Sequence, residues 1–236
     1  MEYLFWIIVF IYSFYVAAES LSIFARYGGF VSKSMSVGLS LQNQILSLNR
    51  LLGFLIAPFV GFYADSGGTA QEIFFIGLAG SAFGGFLLIF LYRWWGSLGA
   101  FFSNIAISFV REGYNLNALI LGATSKNRQI RPVHGKLKFN YFFAQLLTTG
   151  LAMPAIFVLN FIAVNYPVYA STLVQMGAVV SGVGNLILNF YTIPLLSVEE
   201  SRDSENIEEI YRSIYLGKIF GMLLICPLFM VICYGI

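Results

Sequence analysis

Apolar residues run through this chain in long stretches, and the polar residues that interrupt them recur at helical spacing. About 20 consecutive apolar residues cross a hydrocarbon core as a helix. Six spans are expected on that basis, at 3–25, 34–63, 72–93, 139–165, 167–196 and 212–235. The second would be about 45 Å long if helical throughout, so it must tilt or extend past the lipid. Between the third and fourth spans, Trp94, Leu98, Phe101, Phe102, Ile105 and Phe109 alternate with Ser97, Ser103, Asn104 and Ser108. That pattern predicts an amphipathic helix over 94–110, lying in the cytoplasmic interface. The expected fold is an all-α polytopic membrane protein with a single transmembrane domain.

Composition agrees with the pattern. Charged residues make up 10% of the 236 and hydrophobic ones 58%, with a mean hydropathy of +0.80; soluble domains carry about 25% charged residues. No sizeable soluble module fits. The placement of charge says more than its total of +2, and no nucleic-acid partner is expected. Nearly all thirteen Lys and Arg residues fall between spans one and two, three and four, or five and six and the inner end of the sixth. Basic residues stay cytoplasmic, so both termini are expected outside. The segment 125–138, with Pro132 and the lone His134, is a basic loop that could attract anionic headgroups, or that simply orients the chain. Glu199, Glu200, Asp203, Glu205, Glu208 and Glu209 are expected in a solvated linking loop. The start, Met1-Glu2-Tyr3, lacks the basic region of a signal peptide, so the first helix is expected to stay uncleaved. Cys226 and Cys233, seven residues apart, would lie about 10 Å apart along a helix, too far for a disulfide.

Two polar stripes stand out. In span two, Ser36, Ser40, Asn43, Ser47 and Arg50 share one helix face, with Arg50 about 21 Å from Ser36 and so near the bilayer midplane. A charge there costs about 2.5–3.5 kcal/mol on insertion scales, so lipid cannot be its neighbour. In span one, Tyr12, Tyr15, Glu19, Ser22 and Arg26 repeat the spacing. Either Glu19 and Arg50 form a structural ion pair, or Arg50 meets an anionic headgroup inside a wet cavity. A bare ion pair needs no run of Ser and Asn leading to it.

Weaker polar sets follow. They are Tyr141, Gln145, Thr148 and Asn160 in span four, Ser181, Asn185, Asn189 and Thr192 in span five, and Tyr215 and Lys218 in span six. Each alone reads as interhelical glue; together they point to a polar interior open to the cytoplasm. Pro58, Pro154, Pro194 and Pro227 interrupt four spans. Gly80 and Gly84, flanked by Gly77 and Gly85, predict close helix packing. Asn49 precedes Pro58 by nine residues, as Asn185 precedes Pro194, a thin hint of an inverted repeat. No metal-ligand cluster, phosphate-binding loop or nucleophile elbow is present, so neither cofactor nor metal is expected.

The ordered series Glu19-Ser20-Leu21-Ser22-Ile23-Phe24-Ala25-Arg26, Leu39-Ser40-Leu41-Gln42-Asn43, Leu48-Asn49-Arg50 and Ala57-Pro58 resembles the Amj-type family of alternate lipid II flippases of bacteria. The stretches Ser181-Gly182-Val183-Gly184-Asn185 and Gly217-Lys218-Ile219-Phe220-Gly221 resemble it as well. That resemblance implies six transmembrane helices in the bacterial cytoplasmic membrane. It also implies outward translocation of an undecaprenyl-pyrophosphate-linked cell-wall precursor, with no enzymatic step. Its matched polar positions are Glu19, Arg26, Asn43 and Arg50.

On this reading Arg50 offers a cation to the pyrophosphate, and Ser22, Ser40, Asn43, Ser47 and Asn185 offer hydroxyls and amides. Arg26, Lys33 and Lys218 gather the headgroup at the cytoplasmic mouth, and Glu19 holds Arg50 when the site is empty. The expected partners are a polyprenyl-pyrophosphate-linked glycan and membrane lipid; six helices are few for a transporter, which leaves a homodimer open. Rival readings are a flippase for an O-antigen or capsule carrier lipid, an enzyme acting on polyprenyl phosphate, and a non-transporting assembly subunit.

Overall fold

A computed structural model describes residues 2–125, 136–202 and 206–235. About 90% is helical, and there is no strand among the described residues. The helices are α1 (Glu2–Val31), α2 (Met35–Asp65), α3 (Ala70–Arg93), α4 (Trp95–Glu112), α5 (Leu116–Thr124), α6 (Phe139–Leu147), α7 (Ala155–Asn165), α8 (Ala170–Ile187), α9 (Ile193–Ser201), α10 (Ile207–Phe220) and α11 (Cys226–Tyr234). Five rods among the described residues are long and apolar enough to cross a membrane: Glu2–Val31, Met35–Asp65, Ala70–Arg93, Phe139–Asn165 and Ile207–Tyr234. The chain is therefore an all-α polytopic membrane protein. The predicted span at 167–196 corresponds to α8 and α9, which are not among those five.

Three rods share one device. The segments Thr148–Ala152, Leu188–Thr192 and Gly221–Ile225 are π turns, and each ends two residues before a proline: Pro154, Pro194 and Pro227. Proline lacks an N–H and its ring crowds the carbonyl four residues back. Widening the turn by one residue accommodates that loss within a continuing helix. Pro58 lies inside an unbroken α2. The Asn–Pro spacing shared with Pro194 is thus not matched by shared backbone.

Helix α1 is the hub, packed by α2, α3 and α4. The α1–α2 turn is tight because the backbones touch; a Cβ on Gly38 would sit 2.6 Å from the Cα of Gly29. Helix α1 closes in a Schellman arrangement, with Ser34 N–H donating to Gly29 O at 2.8 Å and Lys33 N–H to Phe30 O at 2.9 Å. Lys33 takes the left-handed position that glycine usually fills, at φ 56°. After α2 the same role falls to Gly67, at φ 94°. At the start of α3, Thr69 and Glu72 form a reciprocal capping box. Gly80 abuts Tyr12 and Gly84 abuts Val16, which is the close α1–α3 packing the glycine face predicts.

Helix α4 matches the expected 94–110 helix closely, and its buried face keeps Phe102, Ile105 and Phe109 of the predicted one but is turned away from Trp94, Leu98 and Phe101. Trp95, Phe102, Ser103, Ile105 and Phe109 are buried, whereas Trp94 is 52% exposed and Leu98 and Phe101 are half-buried. The register is set by Gly28 on α1. A Cβ there would lie 2.6 Å from both Phe102 Cβ and Ser103 N, so the two backbones abut and residues 102–103 face the seam. Helix α4 therefore packs on α1 and on α5, an unpredicted helix capped by Asn115, whose side chain accepts from Ala118 N–H at 2.7 Å. Of the basic loop, residues 126–135 lie outside those described.

Candidate functional site

The antiparallel α1–α2 pair sets the site. Gly29 faces Gly38, Arg26 reaches Gln42, and Tyr15 lies over Gly53. This constant register places Glu19 opposite Asn49. The inward face of α2 carries Gln42, Leu46, Asn49, Gly53 and Ile56, at helical spacing. Together with α1, the π turns at 148–152 and 188–192, and α10, this face encloses a cavity of about 220 Å³. The prolines contribute indirectly, since the π turns they accompany bring Thr148, Thr149 and Thr192 to its wall.

Two buried ion pairs stand in it. Lys218 Nζ lies 2.8 Å from Glu19 Oε1, and the Lys218 side chain is 1% exposed. Arg26 grips Glu200 with two bonds, Nε to Oε1 at 2.8 Å and Nη2 to Oε2 at 2.7 Å. Its Nη2 also donates to Ser197 Oγ at 2.6 Å and its Nη1 to Gln42 Oε1 at 3.4 Å. The Tyr211 hydroxyl donates to the same Glu200 oxygen as Arg26 Nε. Planar guanidinium and carboxylate match in such a fork, and the extra donors offset the desolvation of a buried pair. The Glu200 clamp ties α1 to α9 and α10.

These pairings overturn several expectations. Glu19 engages Lys218 rather than Arg50. Lys218 and Arg26 are not free at a cytoplasmic mouth but sealed inside with carboxylates. Ser22 is buried and donates to the Glu19 carbonyl at 2.6 Å. Glu200 does not sit in a solvated loop; it is buried on α9. Its neighbours in the acidic segment also form contacts. Glu208 accepts from Tyr27 Oη at 2.9 Å, and Glu209 pairs with Lys138 at 3.2 Å. Asp203 and Glu205 lie outside the described residues.

The stripe on α2 is rotated from its expected place. Asn43 and Ser47 are exposed and Ser40 is half-buried; with Ser36 they line a shallow groove on the outer surface of α2. That face lies roughly a third of a turn from the one facing the cavity. Arg50 falls between the two faces, exposed yet lining the cavity. Among the described residues it has no hydrogen-bond or ion-pair partner. Lys33 is exposed in the α1–α2 turn, away from the cavity. Asn185 belongs to α8, and its side chain lies outside the described ones.

Among the described residues, three buried polar atoms without a partner belong to this cavity: Glu19 Oε2, Asn49 Oδ1 and Thr192 Oγ1; the Tyr12 hydroxyl lies against Ser81 and Cys226. Buried polar groups are ordinarily satisfied, and an exception calls for a ligand or water. Asn49 and Glu200 were missed as site residues from sequence. Asn49 faces Glu19 only through the register that the Gly29–Gly38 contact sets, and Glu200 carries no signal beyond its acidic neighbours. Among the described residues α2 has at most slight contact with α8 and α9, although both α2 and α9 line the cavity. The chain matches no protein-family model, no curated protein and no solved structure.

Proposed function

We propose that this protein carries a lipid with an anionic, sugar-bearing headgroup across the membrane. By the Amj-type resemblance that lipid is an undecaprenyl-pyrophosphate-linked cell-wall precursor, moved from the inner to the outer leaflet of a bacterial cytoplasmic membrane. One observation carries the reading: Arg50 stands unpaired at the rim of a buried polar cavity, midway along a helix long enough to span the bilayer. The cavity's other cations are neutralised by Glu19 and Glu200. The surplus charge at the rim therefore suits a phosphate, and guanidinium suits its geometry. Because Arg50 is exposed on α2 as well as lining the cavity, an isoprenoid tail would stay in lipid beside α2 while the head is inside. With α8–α9 as a sixth crossing and the basic connections inside, the termini face out.

The outward stripe on α2 supports the same reading. Hydroxyls and an amide exposed on a membrane helix form a polar track from the inner end of α2 to Arg50. A headgroup can follow it without crossing hydrocarbon alone. The test is leaflet-specific accessibility of a labelled polyprenyl-pyrophosphate sugar in proteoliposomes. The Arg50→Ala protein should insert normally and lose transport. Transport at the wild-type rate by that variant would overturn the assignment.

A further inference from the structure

We infer that the inner part of the cavity is a hydroxyl-recognition subsite, in which Glu19 Oε2 and Asn49 Oδ1 accept hydrogen bonds from the sugar of a bound glycolipid. This inference rests on the proposed function and adds where the sugar goes and what reads it. Its basis is the polarity of the unpartnered atoms. Glu19 Oε2 and Asn49 Oδ1 are acceptors, and the α1–α2 register sets the two residues opposite each other. The Glu19 carboxylate oxygen takes only a donor, and the Asn49 amide, though its Nδ2 can itself donate, has its oxygen unpartnered, so the two together suit a hydroxyl. Thr192 adds a hydroxyl, which can both donate and accept.

Charge selects among the donors. A metal cation would share the cavity with Lys218, Arg26 and Arg50 while gaining one carboxylate oxygen, because Lys218 already holds the other. Neutral hydroxyls meet the acceptors without that repulsion. The order of groups is also that of a glycolipid. Tail-side lipid is reached at the exposed side of α2, the anion site is Arg50 at the rim, and the free acceptors lie within. A cavity of about 220 Å³ has room for a sugar beside the phosphate.

Two probes separate this subsite from the anion site: a short-chain polyprenyl pyrophosphate carrying a hexose, and the same lipid with the hexose O-methylated. They share charge and tail, but only the first can donate. Binding is titrated on the purified full chain in nanodiscs. The wild type should bind the free-hydroxyl lipid about tenfold more tightly, the scale of one lost hydrogen bond to a charged or buried acceptor. Asn49→Ala, which removes an oxygen that has no partner in the fold, should shrink that difference; Thr192→Val provides a second variant of nearly unchanged shape. Equal binding of both lipids, still lost in Arg50→Ala, overturns the subsite and leaves the proposed function standing. A difference that survives in both Asn49→Ala and Thr192→Val overturns the assignment of these residues. Failure of either lipid to bind in an Arg50-dependent way overturns the function and the subsite together.

Discussion

Lys218 and Glu19 join α10 to α1 by a 2.8 Å ion pair, with the ammonium sealed from solvent and one carboxylate oxygen left without a partner. Counted in residues, Glu19 is about 25 Å from the start of α1, close to its middle. At such depth each charge depends on the other, since neither lipid nor packed side chains replace water around it.

Replacing Lys218 by Met should therefore destabilise the protein by about 3–5 kcal/mol, because Glu19 is stranded. The Glu19→Gln, Lys218→Met double variant should recover most of the loss. Thermal unfolding in detergent measures both. Additive losses in the double variant would show that the pair is not coupled.

The Arg26 clamp makes a different prediction, because its geometry rather than its charge is the unusual feature. Lysine cannot form the two parallel bonds that Arg26 makes to Glu200 while also reaching Ser197. Arg26→Lys should loosen α9 although the charge is kept. In a background lacking Cys226 and Cys233, a Ser197→Cys probe should react faster with a thiol reagent once Arg26 is Lys. Tyr211→Phe removes one donor to Glu200 and leaves the fork, so its effect should be smaller, on the order of 1–2 kcal/mol. Equal reactivity of the probe in all three proteins would count against the clamp.

What could be read from the sequence divides along a physical line. Hydrophobic length and helical spacing are local properties, and they anticipated the rods, the glycine seam of α3 and the polar character of Gln145, Thr148 and Thr192. Pairing is not local. Glu19 had two cations at comparable depth, Arg50 and Lys218, and only the packing of α10 against α1 selects Lys218. The rotation of α2 was equally hidden. Ser36, Ser40, Asn43 and Ser47 make the most polar face of that helix, and in a soluble protein a polar face points to solvent. In a membrane the same stripe was expected inside, yet Gly38, Gln42 and Asn49 turn inward because the Gly29–Gly38 contact fixes the register. Glu200 was missed because an acidic residue near a helix end reads as a surface charge until its partner, 174 residues away, is seen.

Close approach of backbones also predicts unequal tolerance among glycines. Gly28 abuts Phe102 and the Ser103 backbone, which cannot swing aside as a flexible side chain could. Gly28→Val should separate α4 from α1 and sharply reduce folded yield. Gly61, inside α2 with open space where its Cβ would be, should accept alanine and gain about 0.5–1 kcal/mol from the lower entropy of the unfolded chain. The contrast is read from monodisperse yield and unfolding temperature. Similar behaviour of the two variants would mean that the α1–α4 seam is not as tight as the structure has it.

The outward polar groove of α2 yields the sharpest test of how a headgroup would reach Arg50. Asn43 and Ser47 are exposed, so replacing both by leucine removes no packing and makes α2 more soluble in hydrocarbon. Insertion and stability should be unchanged or improved. If the groove is the headgroup's track, transport should nevertheless fall, because the polar path between the inner end of the helix and Arg50 is interrupted while the cavity is intact. The rival use of such a face is a contact with a second copy, since Ser and Asn at these spacings also draw membrane helices together. Asn43→Cys separates the two: a lone exposed track reacts with membrane-side thiol reagents and does not cross-link, whereas a dimer seam yields a disulfide-linked pair under mild oxidation. Efficient cross-linking, or full transport by the double leucine variant, would remove the track and require the headgroup to reach Arg50 by another route.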